Sequence, residues 1–96
     1  MNNWERMKAG RLYNADSKDL EKYHSFGMET CDKFNRTPLW MKKRKQRLLE
    51  KMIPSAKDGG AAIFAPFYCE YGVNIHFGKG CFVNYKCTFL DCAPIT

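Results

Sequence analysis

GKGCFVNYKCTFLDCAPIT, residues Gly78–Thr96, carries a spacing that decides how the chain folds. Counting from Phe77, just ahead of it, bulky apolar residues recur at every sixth position: Phe77, Val83, Phe89 and Ile95. Cys81, Cys87 and Ala93 make a second series of small residues at the same interval. Six is even, so the members of one series share a face of an extended strand. A hairpin sheet would add strict alternation, and Lys79, Asn84 and Lys86 interrupt it. The spacing suits a chain that bends at fixed intervals, sending one large and one small side chain inward from each short face. That is the logic of a solenoid, whose turns stack about 4.8 Å apart. Six-residue repeats point to a β-helix.

Upstream the pattern changes. From Ala61 onward the chain is rich in aromatic and β-branched residues with repeated glycine, which favours short strands between turns. Before Gly60 it reads as helical. Asn3 is placed to cap a short helix ending at Gly10, and Asp16 or Ser17 a second helix carrying Leu20, Tyr23, Cys31 and Phe34 at helical spacing. Gly27 weakens that helix by about 1 kcal/mol relative to alanine. Thr37 and Pro38 predict an N-cap and first position for a third helix reaching Ile53, where Pro54 forbids continuation. Ser55–Gly60 is expected to be a loop. The expected organisation is a helical region, 1–60, followed by a β region, 61–96.

Bulk properties narrow the class. A chain of 96 residues with 45% hydrophobic and 15% aromatic content is globular rather than disordered. No apolar run approaches the roughly 20 residues that span a bilayer, and the N-terminus has no apolar core of a secretory signal. A cytoplasmic location and no membrane partner are the expectation. Five cysteines without a CxxC pair argue for reduced, structural thiols and against a zinc site. The net charge of +6 permits phosphate-bearing partners without selecting one. The run Lys42–Arg47, KKRKQR, reads as a solvated helix face; without interleaved aromatics it is weak support for nucleic-acid binding.

With these residues in view, the chain resembles the maltose and galactoside O-acetyltransferases of the hexapeptide-repeat acyltransferases. MKAGRLYN (Met7–Asn14) resembles their opening helix and turn, and FNRT (Phe34–Thr37) the link between helices. Ala65–Thr96 resembles the entry to their left-handed β-helix. The resemblance implies an α+β fold, N-terminal helices followed by the first coils of a left-handed parallel β-helix. It implies acetyl-CoA as co-substrate, a sugar acceptor, no metal, and a homotrimer. It places the histidine base beyond Thr96, so the expectation is an N-terminal portion with no catalytic residue of its own; the alternatives are a non-catalytic remnant associating with intact homologues and a small basic nucleic-acid-binding protein.

Asn84 matches a position lining the acceptor pocket, where an amide can donate to and accept from a sugar hydroxyl. Asp91 matches an acidic position in the same region. Glu70 and Phe82 are weaker candidates, the latter as an aromatic packing on the sugar. Lys86 departs from the family pattern, and His76 reads as a surface residue. Cys69 and Cys87, eighteen residues apart, are expected to stack in successive coils. With fewer than two such coils, the chain alone is expected to be marginal and to self-associate through Phe89, Ile95 and its open edge.

Overall fold

A computed structural model describes residues 1–96, apart from the side chains of residues 58 and 59. Helix α1 (Asn3–Lys8) is capped one residue earlier than expected, by Asn2, whose Oδ1 accepts the Glu5 N–H at 2.8 Å. Asn3 is diverted to accept the Asn14 N–H at 2.9 Å, tying down the turn after Gly10. Helix α2 (Lys18–Arg36) starts at Ser17, whose hydroxyl donates to Asp19. The same Asp19 carboxylate accepts the Trp4 N–H at 3.0 Å and so pins α1 against α2.

Helix α3 is Lys42–Met52 and does not begin at Pro38. Thr37 is already committed to closing α2. Its N–H donates to the Lys33 carbonyl at 3.0 Å and its hydroxyl to the same oxygen at 2.6 Å. Residues 38–41 therefore form a turn that leaves Leu39 and Trp40 outside the core. The basic run divides likewise: Lys45 turns inward, its ammonium donating to the Phe34 and Thr37 carbonyls at 2.8 and 3.2 Å. Those bonds satisfy carbonyls at the end of α2, where the Phe34 oxygen otherwise has only a long bond from the Thr37 N–H at 3.4 Å. Burial lowers the Lys45 pKa. Ser55–Gly59 forms a short helix, α4, in place of the expected loop. Pro54 at its N-cap position has no N–H to leave unsatisfied.

The β region consists of β1 (Ala62–Ile63), β2 (Phe67–Cys69), β3 (Phe82–Val83) and β4 (Cys87–Phe89). Every pairing is parallel: β1 with β3, β2 with β4, and a single bridge between Ile75 and Ile95. One circuit of chain thus lies on the next. Ile63 pairs with Val83, Phe67 with Cys87 and Ile75 with Ile95, so a circuit is twenty residues long, not eighteen. Ile63, Cys69 and Ile75 keep the six-residue spacing, as do Val83, Phe89 and Ile95; the two extra residues fall in the turn between Ile75 and Val83. Cys69 consequently stacks on Phe89, and Cys87 on Phe67.

The helices cover the first circuit. Phe34, Leu49, Met52 and Ile53 share one core with Ile63, Phe67, Cys69, Ile75 and Val83. Asn35 of FNRT acts as a substitute strand partner for Phe67, its Nδ2 donating to the Phe67 carbonyl at 3.0 Å and its Oδ1 accepting the Phe67 N–H at 2.8 Å. That bracket closes the edge of β2 opposite β4, an edge that would otherwise invite pairing. Ser55 does the same further along, donating to the Ile75 carbonyl and accepting the Phe77 N–H, both at 2.9 Å. Phe89 and Ile95, expected in solvent, are half-buried. Among the described residues, no helix is long and apolar enough to cross a membrane.

Candidate functional site

After β2 the chain turns through Glu70–Asn74, and Asp91, just past β4, holds that corner together. Its Oδ1 accepts the N–H groups of Glu70 and Tyr71 at 3.1 and 2.8 Å, and its Oδ2 those of Gly72 and Asn74 at 2.7 and 3.2 Å. Asn74 answers by donating its amide to the Asp91 carbonyl at 2.8 Å. Burying a carboxylate is costly unless hydrogen bonds replace its water, and here four backbone donors do so. Asp91 is 0% exposed, so it offers an acceptor no surface. The direct contact expected of it gives way to shaping the corner that carries Glu70.

Glu70 is half-buried, and its carboxylate meets the Nε2 of His24 on α2. His24 lies on the helix face that also presents Leu20, Gly27, Cys31 and Phe34. Gly27 makes the approach possible: a Cβ there would stand 2.5 Å from the Glu70 carbonyl oxygen. Sequence reasoning passes over His24. The spacing 20, 24, 27, 31, 34 is the signal that finds it, once Gly27 is read as a contact instead of a flaw.

Beside Glu70 lies a cavity of about 320 Å³ between α2 and the β2–β4 pair, lined by Met28, Cys31, Tyr68, Cys69, Glu70 and Leu90 among others. The Cys31 and Cys69 sulfurs are 3.5 Å apart, and both approach the Met52 thioether, at 3.4 and 3.6 Å. All five thiols are free. The hydrogen bond between Cys31 and Cys69 lowers the pKa of the first; the same bond, with burial, pushes the second up. Among the described residues, no three His, Cys, Asp or Glu side chains gather as a metal site.

Next to Glu70, Tyr71 packs against Trp4 (ring centroids 5.1 Å apart) and His24 (5.4 Å). Burial pushes its phenol from 10.0 up to about 12, helped by the charges of Cys92 and Glu70. The folded chain thus holds a proton that the unfolded chain releases near pH 10. This contribution to stability is complete below pH 10 and is lost as pH rises toward about 12. Tyr71→Phe is expected to flatten the fall of the urea midpoint across that window. An unchanged slope would show that Tyr71 titrates as it does in water.

Phe82 and Asn84 sit at a different corner, on β3 and in the turn before β4. Phe82 is 56% exposed and stands edge-on to Phe64 at 5.0 Å; Phe64 also meets Tyr85 at 5.0 Å. Asn84 is exposed and its Oδ1 accepts the Tyr85 N–H at 2.9 Å. Its amide nitrogen has no hydrogen bond among the described residues. Lys86 adopts φ +59 and donates its N–H to the Pro66 carbonyl at 2.9 Å. The fold brings Glu70 and Asp91 together, and Phe82 and Asn84 together. Among the described residues no hydrogen bond joins the two pairs. His76 is exposed, its N–H spent on the Ile95 carbonyl at 2.8 Å.

A parallel two-tier coil closed at one edge by helices is shared with proteins of known class. Residues 6–57 match the family described as the maltose acetyltransferase hexapeptide capping motif. The chain belongs to that maltose acetyltransferase family. Nodulation protein L of Rhizobium leguminosarum bv. viciae is 34% identical over 96% of this chain and 48% of its own length. The crystal structure of a maltose O-acetyltransferase from Clostridium difficile 630 superposes with a TM-score of 0.91 at 29% identity, covering 98% of this chain and 50% of that one. A hexapeptide-repeat acetyltransferase of Vibrio cholerae O1 biovar eltor, solved with acetyl coenzyme A, superposes at 0.78 with 25% identity, covering 100% of this chain and 51% of that one. The chain spans about half the length of the curated relatives it matches.

Proposed function

We propose that this chain is the N-terminal portion of a sugar O-acetyltransferase of the maltose and galactoside type, which moves an acetyl group from acetyl-CoA to a sugar hydroxyl. The superposition on the maltose O-acetyltransferase over 98% of the chain carries this reading. In it, the twenty-residue circuits are the first coils of a left-handed parallel β-helix, residues 1–60 are its helical cap, and three copies assemble around the sites. Acetyl-CoA as co-substrate is consistent with a cytoplasmic protein.

The part assigned to this chain is acceptor binding. Phe82 offers an exposed ring to the apolar face of a sugar, and Asn84 has an unengaged amide beside it. Glu70, oriented by His24, presents a carboxylate to a hydroxyl, and Asp91 acts through the corner it holds. A hydroxyl is a poor nucleophile at neutral pH and needs a positioned base. No residue of this chain is assigned that role.

The test uses the natural protein that carries this chain, incubated with acetyl-CoA and a panel of mono- and disaccharides. Release of the CoA thiol should accompany the gain of one acetyl group on the sugar by mass spectrometry. Thiol release without an acetylated sugar would overturn the sugar assignment. Asn84→Ala removes one hydrogen-bonding group and should raise KM for the sugar up to about tenfold with KM for acetyl-CoA unchanged.

A further inference from the structure

The turn between α2 and α3 is the least expected surface of the molecule. Leu39 and Trp40 are adjacent in sequence, and at 76% and 79% exposed they face solvent. They are not loosely held. Thr37 is tied to α2 on one side, and Lys45 reaches back from α3 to bond the carbonyls of Phe34 and Thr37 on the other. The fold therefore pins both ends of a short turn and projects its two large apolar side chains.

Directly after them come Lys42, Lys43, Arg44 and Arg47, all exposed, and they share a surface groove with Trp40. The first turn of α3 contains no acidic residue. Cations at a helix N-terminus are electrostatically unfavourable, because the aligned peptide dipoles already place positive charge there. Of the carboxylates nearest in sequence, Asp32 is bound to Arg36 and Glu50 accepts a hydrogen bond from Gln46. Local rules broken together at an exposed site, apolar side chains out and like charges at the wrong helix end, are characteristic of a surface with a partner.

We propose that Leu39, Trp40 and the cations Lys42, Lys43, Arg44 and Arg47 form a docking surface for an anionic lipid bilayer. Tryptophan partitions to the boundary between headgroups and acyl chains, leucine enters the apolar side of that boundary, and flanking Lys and Arg side chains reach anionic headgroups. A nucleic acid would use the same cations, and a base can stack on Trp40. It gains nothing from Leu39, which has no π face, and that side chain favours the bilayer. The contact is peripheral: Trp40 lies in the groove with the cations, and Leu39 borders the neighbouring groove that holds Phe64 and Tyr85.

The experiment is flotation of the natural protein carrying this chain with phosphatidylcholine vesicles, with or without about 30% phosphatidylserine. Binding to the anionic vesicles is expected to exceed binding to neutral ones by at least about tenfold near 0.1 M salt, and to fall sharply at about 0.5 M. Lys43→Glu and Arg47→Glu should each weaken it on the order of fivefold or more. Leu39→Ser with Trp40→Ser should weaken it at least about tenfold. These side chains are solvent-exposed, so the circular dichroism spectra should be unchanged. Absence of binding to anionic vesicles, or binding indifferent to the Leu39 and Trp40 replacements, would overturn the proposal. So would tighter binding of a single-stranded oligonucleotide, or a fall in oligomeric mass in the Leu39/Trp40 variant, which would make this face a contact between copies.

Discussion

Asp91→Ala is expected to destabilise the protein by about 4 kcal/mol, most of the stability of a domain at the low end of the ordinary range. The carboxylate is fully buried and accepts four backbone N–H groups from Glu70, Tyr71, Gly72 and Asn74. Removing it leaves those donors facing one another around a void. Each buried donor left unpaired costs on the order of 1–3 kcal/mol, though Glu70 keeps a longer bond to the Phe89 carbonyl at 3.3 Å. The Gly72 backbone already abuts Met52, so closely that an added Cβ would lie 2.6 Å from the Met52 carbonyl oxygen, and the corner cannot close up on that side. Asp91→Asn separates the two roles a carboxylate could have here. It keeps the shape but turns an N–H₂ toward N–H donors, so it should still lower stability by roughly 2 kcal/mol. Urea unfolding of both variants reads this directly. A normal midpoint for Asp91→Asn, with only KM for the acceptor raised, would return Asp91 to direct substrate contact.

The second large effect runs against helix propensity. Alanine at position 27, inside α2, would gain about 1 kcal/mol over glycine in an isolated helix. In this fold Gly27→Ala is expected to cost a net 2 kcal/mol or so. The new Cβ meets the Glu70 carbonyl oxygen at 2.5 Å and the Tyr71 Cα at 3.0 Å. Both are backbone atoms of the corner that Asp91 clamps, so neither can swing away as a side-chain tip would. The helix must retreat, and His24 retreats with it from Glu70. Thermal unfolding of Gly27→Ala tests the sign. A raised midpoint would mean that α2 does not approach the corner this closely.

These two residues show where reading along the chain stops. In sequence Asp91 reads as an acidic residue of the acceptor region, and Gly27 only as a weak point in a helix. The role of each is set by atoms far away in the chain, at Glu70–Asn74, and no local pattern records which corner meets which helix. The helices themselves are a milder case. The existence of α1, α2 and α3, and the stop at Pro54, follow from local chemistry, whereas α4 forms where a loop is expected. The start of α3 does not, because Thr37 can serve either the helix behind it or the one ahead, and packing of Phe34 and Lys45 settles the choice.

The sequence by itself determined Val83, Phe89 and Ile95 as an inward series, since alternation along an extended chain is a property of the backbone; the member before them is Ile75, with Phe77 in the turn between circuits. It also determined the change from helical to β character near Gly60, and the exposed Phe82 and Asn84 as candidates. The tertiary structure decided the twenty-residue circuit, because the length of a turn between strands is set by which residues pair, and pairing is a contact between circuits. It decided that Asp91 is an internal clamp, that His24 belongs beside Glu70, and that Leu39 and Trp40 remain outside. Each of these depends on burial by another segment, a quantity that no residue carries alone.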